Sequence, residues 1–406
     1  MEVLALVFLC LTVSYIFSEL AERVKLPRVL GSLFTGLVFG IPVVKYFIFT
    51  DASLTLMEAF AKMGLIFLMF YVGLELDFSD LTKRSGKAGM VALFNSVLPF
   101  ALGFFTMRFL GYNNAVAIIV GACLSVTAEA VALDILKELN MMKTRIGRII
   151  IEAGLFDDIV EILLVGGLIT FIHSAKLSTG LTETIFIICF DLSMFFILVY
   201  LSKFIVIPLV LGFAERQRSR VSLYISSTIL ALFMASLSVY FGLGEVVGAV
   251  LAGMIIRFTL LRGSRAEKAE EKSIEEMIGL TTFGFFAPFF FIWVGMSSNF
   301  SVLLLDPVLA IAVTLAAFGG KMIGSIMAIL WSKGTLLEGA SIGWGMNSRG
   351  AVELVAAQLA LTSGILSPNV FSALVFMAFV TTFFSPVFFK FFITLYNQKQ
   401  KFSSRV

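Results

Sequence analysis

Charge is scarce in this chain. Of its 406 residues only 14% are Asp, Glu, Lys or Arg, where a typical soluble domain has roughly a quarter, and 59% are hydrophobic. That balance excludes an ordinary soluble domain and points to a polytopic membrane protein. Cysteine is nearly absent: Cys10, Cys123 and Cys189 each lie inside an apolar run, which excludes a disulfide framework or a Cys-rich metal site and leaves them as packing residues. The single histidine, His173, falls near the outer end of a predicted span and reads as a surface residue rather than a pH sensor. The opening MEVLALVFLCLTVSYIFSEL lacks a basic n-region and an A-x-A-like cleavage site, so it reads as a retained first span. Because the chain ends soon after the last predicted span, no fused cytosolic regulatory domain is expected, and nothing calls for a cofactor.

What is present is a succession of apolar runs. Runs of roughly 17 to 25 residues can each cross a bilayer. They lie near 3–20, 28–46, 54–76, 88–110, 114–137, 148–173, 182–212, 221–241, 244–258, 281–298, 306–331, 337–362 and 367–396, about thirteen in all. Loops after odd-numbered spans carry most of the basic residues, among them Arg23, Lys83, Arg145, Arg216, Arg262 and Lys333, while the other loops offer little beyond Lys45, Arg108 and Lys176. The positive-inside rule then makes the odd loops and the C-terminus cytoplasmic and the N-terminus external, in a cell (inner) membrane. The lipid bilayer accounts for this charge pattern, so no nucleic acid partner is needed. The charged stretches 212–220 and 262–276 read as solvated loops. Glu58 and Lys62, one turn apart in the third span, read as an intrahelical pair.

Against this apolar background, GLFDDIVEILLVGG (154–167) sets Asp157, Asp158 and Glu161 inside a membrane span. An ionised carboxylate in hydrocarbon costs at least a few kcal/mol, so such residues usually face a partner, a water-filled cavity or a transported ion. Consecutive residues point about 100° apart on a helix, which gives Asp157 and Asp158 different surroundings and different roles.

Four further stretches read together with these acids: LAERVKLPRVLGSLFTGLVFG (20–40), MGLIFLMFYVGLELDF (63–78), VYFGLGEVVGAVLAGMIIR (239–257) and PFFFIWVGM (288–296). In this order and spacing the chain resembles the second superfamily of monovalent cation:proton antiporters, which holds Nap-type sodium/proton and Kef-type potassium/proton transporters. The resemblance implies an all-α fold of inverted repeats with two crossed discontinuous helices, and a homodimer. It further implies scaffold and dimerisation helices 1–3 (residues 1–80) and 8–10 (221–300), core helices 4–6 (81–176) and 11–13 (301–406), and a linker helix 7 (177–220). In such transporters broken helices present dipole ends and free backbone groups at mid-membrane. CLSVTAEAVALDIL (123–136) and GASIGWGMNSRGAVEL (339–354) correspond to them. The second has Gly339, Gly343, Gly345 and Gly350 to weaken a helix. The first has neither Gly nor Pro at the break, and its unwinding is implied by the resemblance alone.

The resemblance also assigns roles. Asp158 matches the carboxylate that alternately holds a monovalent cation and a proton, with Asp157 as its partner, tied to Lys321 when no metal ion is bound. Competition for one carboxylate suffices for exchange, and such groups titrate as a coupled unit. The alternative for Asp157 and Lys321 is a structural ion pair holding helices in register. Ser125 and Thr127 can offer oxygens to the ion or bond to their own backbone. Glu129 stands where the family has a small hydroxyl residue, and reads either as a ligand or as a partner of Arg349. Glu161 is a further acid outside the family pattern. Arg349, with Glu353 one turn on and Glu152 across the core, reads as a structural network.

The expected function is therefore secondary active exchange of Na+ or Li+ for H+ by alternating access, not enzymatic catalysis. Potassium/proton exchange is the alternative, although the Kef branch commonly carries glutamine before the aspartate, where this chain has Asp157, and a fused nucleotide-binding domain, which is not expected here. A cation channel would need a filter-like sequence, and none is visible. An intramembrane aspartyl protease would need its two aspartates on separate, facing helices.

Overall fold

The computed structural model describes residues 3–24, 26–75, 86–128, 132–133, 135–136, 141–154, 156–157, 193, 197, 200, 220–241, 244–261, 275–298 and 306–403. Among the described residues every regular element is helical: α1 (Val3–Arg23), α2 (Arg28–Phe39), α3 (Pro42–Ile48), α4 (Asp51–Glu75), α5 (Gly86–Phe109), α6 (Asn114–Ser125), α7 (145–154), α8 (Arg220–Tyr240), α9 (Gly244–Leu261), α10 (Glu275–Ser297), α11 (Pro307–Trp331), α12 (Leu336–Gly345), α13 (Ala351–Thr362) and α14 (Pro368–Ser403). Seven of these, α1, α4, α5, α8, α10, α11 and α14, are long and apolar enough to cross a membrane, and the bent pair α2–α3 makes an eighth. The protein is an all-α polytopic membrane protein. Of the spans expected from sequence, 182–212 lies almost wholly outside the described residues, as does 148–173 beyond residue 157.

One span expected to run unbroken is two helices. Residues 28–46 form two helices that meet at an 88° bend. Pro42 explains it, because its ring disfavours helical backbone at Ile41 and it has no N–H to donate, whereas the first position of a new helix tolerates both defects. Gly40 lets the turn pass close to another segment, since a Cβ there would stand 3.1 Å from Met296 Cα.

Contacts divide the chain into two compact units. The first takes in Met1–Leu11, Phe49–Phe78 and Gly166–Trp293. Within it α4 and α9 pack backbone against backbone: a Cβ on Gly73 would lie 2.1 Å from Val250 O. Phe67 stacks on Phe286 at 4.7 Å, within a π-helical turn of α10. Lys62 Nζ reaches Glu58 Oε1 at 3.0 Å, the intrahelical pair expected from their spacing.

The second unit comprises Thr12–Ile48, Ser79–Val165 and Val294–Val406, and one pattern occurs in it twice. The 24-residue α5 leads into the 12-residue α6, and the 25-residue α11 leads into the 10-residue α12. Each short helix starts on a side-chain cap, Asn113 Oδ1 accepting from Val116 N at 2.9 Å and Thr335 Oγ1 from Glu338 N at 3.2 Å, which satisfies an otherwise orphaned amide. Each then ends in non-helical backbone. α5 lies between α6 and α11 at close range, because small residues let membrane helices approach: a Cβ on Gly121 would sit 2.7 Å from Phe100 O, and one on Gly320 2.5 Å from Pro99 Cα. An apolar cluster including Val91, Ile146, Ile150, Ile329, Met346 and Phe389 joins α5, α7, α11 and α14 within the unit. Cys10 and Cys123 are buried free thiols.

Candidate ion-binding site

The first short helix stops inside the protein. α6 ends at Ser125, and Val126 turns to extended backbone (φ −62°, ψ 144°), so the last carbonyls of α6 lose their i+4 partners. Other groups replace them. Lys321 Nζ donates to Ser125 O at 2.5 Å, and the Arg349 guanidinium donates to Val126 O. Two cations thus meet the negative end of one helix dipole, where positive charge is favoured.

The second interruption runs through residues 346–350, between α12 and α13. The two breaks touch: Ala128 N donates to Ser348 O at 2.9 Å, and a Cβ on Gly350 would stand 2.8 Å from Ala128 Cβ. Arg349 is fixed on its other side by Thr382 of α14, whose Oγ1 accepts from Arg349 N and donates to Arg349 O, each at 2.9 Å. Arg349 therefore joins the two breaks and α14 into one network.

Asp157 lies at this crossing, 1% exposed, opposite Lys321, which is 0% exposed. Asp157 Oδ1 accepts from Ser96 Oγ at 2.7 Å, and Oδ2 accepts from Thr127 Oγ1. Lys321 Nζ stands 3.5 Å from Oδ2 and also donates to Thr127 Oγ1. Burying an ion pair is costly unless further hydrogen bonds complete it, and here hydroxyls and a carbonyl do so. The ammonium meets three oxygens here: a carbonyl, a hydroxyl and a carboxylate. Hard cations take the same donor types.

Sequence-predicted residues thus divide. Asp157, Thr127, Ser125, Lys321 and Arg349 meet at the crossing. Ser125 contributes its carbonyl, because its hydroxyl turns back to Ser96 O at 2.8 Å and Gly121 O at 3.1 Å. Glu353 occupies the first turn of α13, 2% exposed. Glu152 is half-buried on α7. Asp158, Glu129 and Glu161, together with His173 and Cys189, lie outside the described residues.

Three polar residues escaped the sequence reading. Ser96 supports Asp157. Asn95, 0% exposed, accepts from Ser325 Oγ at 2.9 Å and donates to Met346 Sδ at 3.1 Å. Asn347, in the second break, is fully buried, and its Oδ1 has no hydrogen-bond partner among the described residues. The adjacent Asn-Ser in the middle of LFNSVLPF (93–100) was the available signal. Removing the Ser96 hydroxyl deprives a buried charge of a donor, which costs about 1.5–3 kcal/mol for hydrogen bonds of this kind. Ser96→Ala is therefore expected to lower the melting temperature of the purified protein in detergent, and an unchanged melting curve would contradict the assigned bond.

Compared with protein families, residues 6–394 match the one described as sodium/hydrogen exchanger, transmembrane. The chain belongs to this family. It is 29% identical over 399 residues to a Na+/H+ antiporter of Enterococcus hirae, covering 97% of this chain and 98% of that one. It is 28% identical over 373 residues to the Na+/H+-K+ antiporter GerN of Bacillus cereus, with 92% of each chain covered. Among solved structures, the sodium proton antiporter MjNhaP1 of Methanocaldococcus jannaschii has the same fold, with a TM-score of 0.68 and 17% identity over 96% of this chain and all of that one. The monovalent cation:proton antiporter resemblance seen in the sequence is thus the family to which this multi-pass membrane protein belongs, a family of transporters rather than enzymes.

Proposed function

We propose that this cation/proton antiporter exchanges Na+ or Li+ for H+ by alternating access, with cation and proton competing for Asp158. The observation that carries the reading is the buried Lys321 ammonium, held at the crossing by Ser125 O, Thr127 Oγ1 and Asp157 Oδ2. One positive charge is already stabilised there by these three oxygens. A metal ion entering between Asp157 and Asp158 takes over part of that donor set, and the ammonium withdraws. Asp157 and Lys321 then form the pair that closes the site when no metal ion is present. Thr127, the Ser125 carbonyl and Glu129 supply further oxygens, while Arg349, Glu152, Glu161 and Glu353 form the surrounding network.

In this reading core helices (81–176 and 301–406) slide as a body against scaffold helices (1–80 and 221–300), with 177–220 as the link. The scaffold forms a homodimer in the cell membrane, with the N-terminus outside and the C-terminus cytoplasmic. Potassium/proton exchange is the second reading, favoured by the similarity to an antiporter whose name includes K+.

Proton flux in proteoliposomes under an imposed pH gradient separates these readings. Sodium or lithium is expected to dissipate the gradient with the native protein and not with Asp158→Asn. Dissipation by potassium alone selects the second reading, and cation-driven flux that survives Asp158→Asn removes Asp158 from the mechanism.

A further inference from the structure

Two acids described at the crossing are treated in opposite ways. Asp157 receives hydrogen bonds from Ser96 and Thr127 and faces the Lys321 ammonium, so it is stabilised as a carboxylate. Glu353 is equally buried, at 2% exposure, yet neither of its carboxyl oxygens has a hydrogen-bond partner among the described residues. Arg349, four residues earlier, donates from its guanidinium to Val126 O. A buried carboxylate with no donor is far more costly than the neutral acid. The state described is therefore one in which Glu353 holds a proton.

From this geometry we propose that Glu353 is a second proton-binding group of the transport core, releasing its proton when a cation enters the Asp157–Asp158 site. The inference rests on the reading of that site given above. Coupling has a physical route: Glu353 lies one turn from Arg349, Arg349 holds the carbonyl of Val126, and the next residue, Thr127, bonds both Asp157 and Lys321. A metal ion adds positive charge beside that network, and a carboxylate at Glu353 compensates it. The O–H bond of the carboxyl breaks, the proton leaves to water, and the electron pair stays on the carboxylate. Among the described residues the charged groups that act on Glu353 are Arg349 and, from α11, Lys321, while Cys123 of α6 approaches Glu353 O with its Sγ at 3.7 Å.

The test is proton release on cation binding. Purified full-length protein in weakly buffered detergent solution is mixed with sodium chloride, or with choline chloride as control, and a pH-indicator dye counts the protons released. Glu353→Gln is expected to release one proton fewer per chain than the native protein while still binding sodium, and Glu353→Asp, which keeps the carboxyl, to restore the count. The same proton count in Glu353→Gln as in the native protein overturns the assignment and leaves the Asp158 reading intact. Sodium-independent release in the native protein overturns both. If Glu353→Gln does not fold, Glu353→Asp decides: its shorter side chain is expected to shift the pH range over which the second proton is released, and an unshifted range overturns the proposal.

Discussion

Lys321→Ala is expected to cost about 3–5 kcal/mol, the loss that follows when one partner of a buried ion pair is removed and the other stays behind. The variant leaves Asp157 at 1% exposure with two hydroxyl donors among the described residues, and leaves Ser125 O at the end of α6 without its cation. That is a large part of the stability of a typical domain, so a markedly lower melting temperature in detergent should be visible directly. The informative part is the response to sodium. On the proposed exchange a metal ion displaces the ammonium in the native protein before using the same oxygens, a step the variant does not need. A ligand that binds only the folded state stabilises by RT ln(1 + [L]/Kd), about 2.7 kcal/mol at a hundred times Kd. Sodium should therefore raise the melting temperature of Lys321→Ala more than that of the native protein. Equal shifts would mean that ion and ammonium do not share donors, and Lys321 would be a structural tie between helices.

The same crossing shows why sequence reveals one break and hides the other. Around the second, Gly343, Gly345 and Gly350 mark the interruption locally, and the helix does stop at Gly345. The first stops at Ser125 with ordinary helix-compatible residues on both sides. Its unwinding is maintained from a distance, by Lys321 on Ser125 O, by Arg349 on Val126 O and by Ser348 O on Ala128 N. Partners some two hundred positions away leave no local mark, so only the family resemblance could supply that break. Ser96 was hidden for a related reason. A serine in a membrane helix is expected to bond its own backbone, and Ser96 Oγ does lie 2.9 Å from Ala92 O as well as 2.7 Å from Asp157 Oδ1. The bend after α2 was different, since Pro42 was in plain view and the apolar run outweighed it.

Gly320→Val is expected to be among the most damaging substitutions in the core unit, through packing alone. A Cβ at 320 would meet Pro99 Cα at 2.5 Å, with Pro99 Cβ and Cγ at 2.8 and 2.9 Å. These atoms belong to the backbone and ring of α5, so no side chain can rotate away and the two helices must separate. Overpacking costs about 1–3 kcal/mol where neighbours can relax, and more where they cannot; here the upper end or beyond applies. Gly319→Ala provides the control one residue away: its nearest neighbour is Leu102 Cδ1 at 3.9 Å, an ordinary contact, and replacing Gly by Ala in a helix gains about 0.5–1 kcal/mol. Gly319→Ala should therefore melt at or above the native temperature, and Gly320→Val well below it or fail to fold. The contrast bears on transport because Lys321 follows directly. Its ammonium reaches Ser125 O at 2.5 Å only while α11 lies close against α5, and α5 also carries the Ser96 that supports Asp157. Any Gly320→Val protein that does fold is expected to lose cation-driven proton flux in proteoliposomes, while Gly319→Ala keeps it. Native flux in Gly320→Val would show that the α5–α11 spacing does not set the geometry of the site.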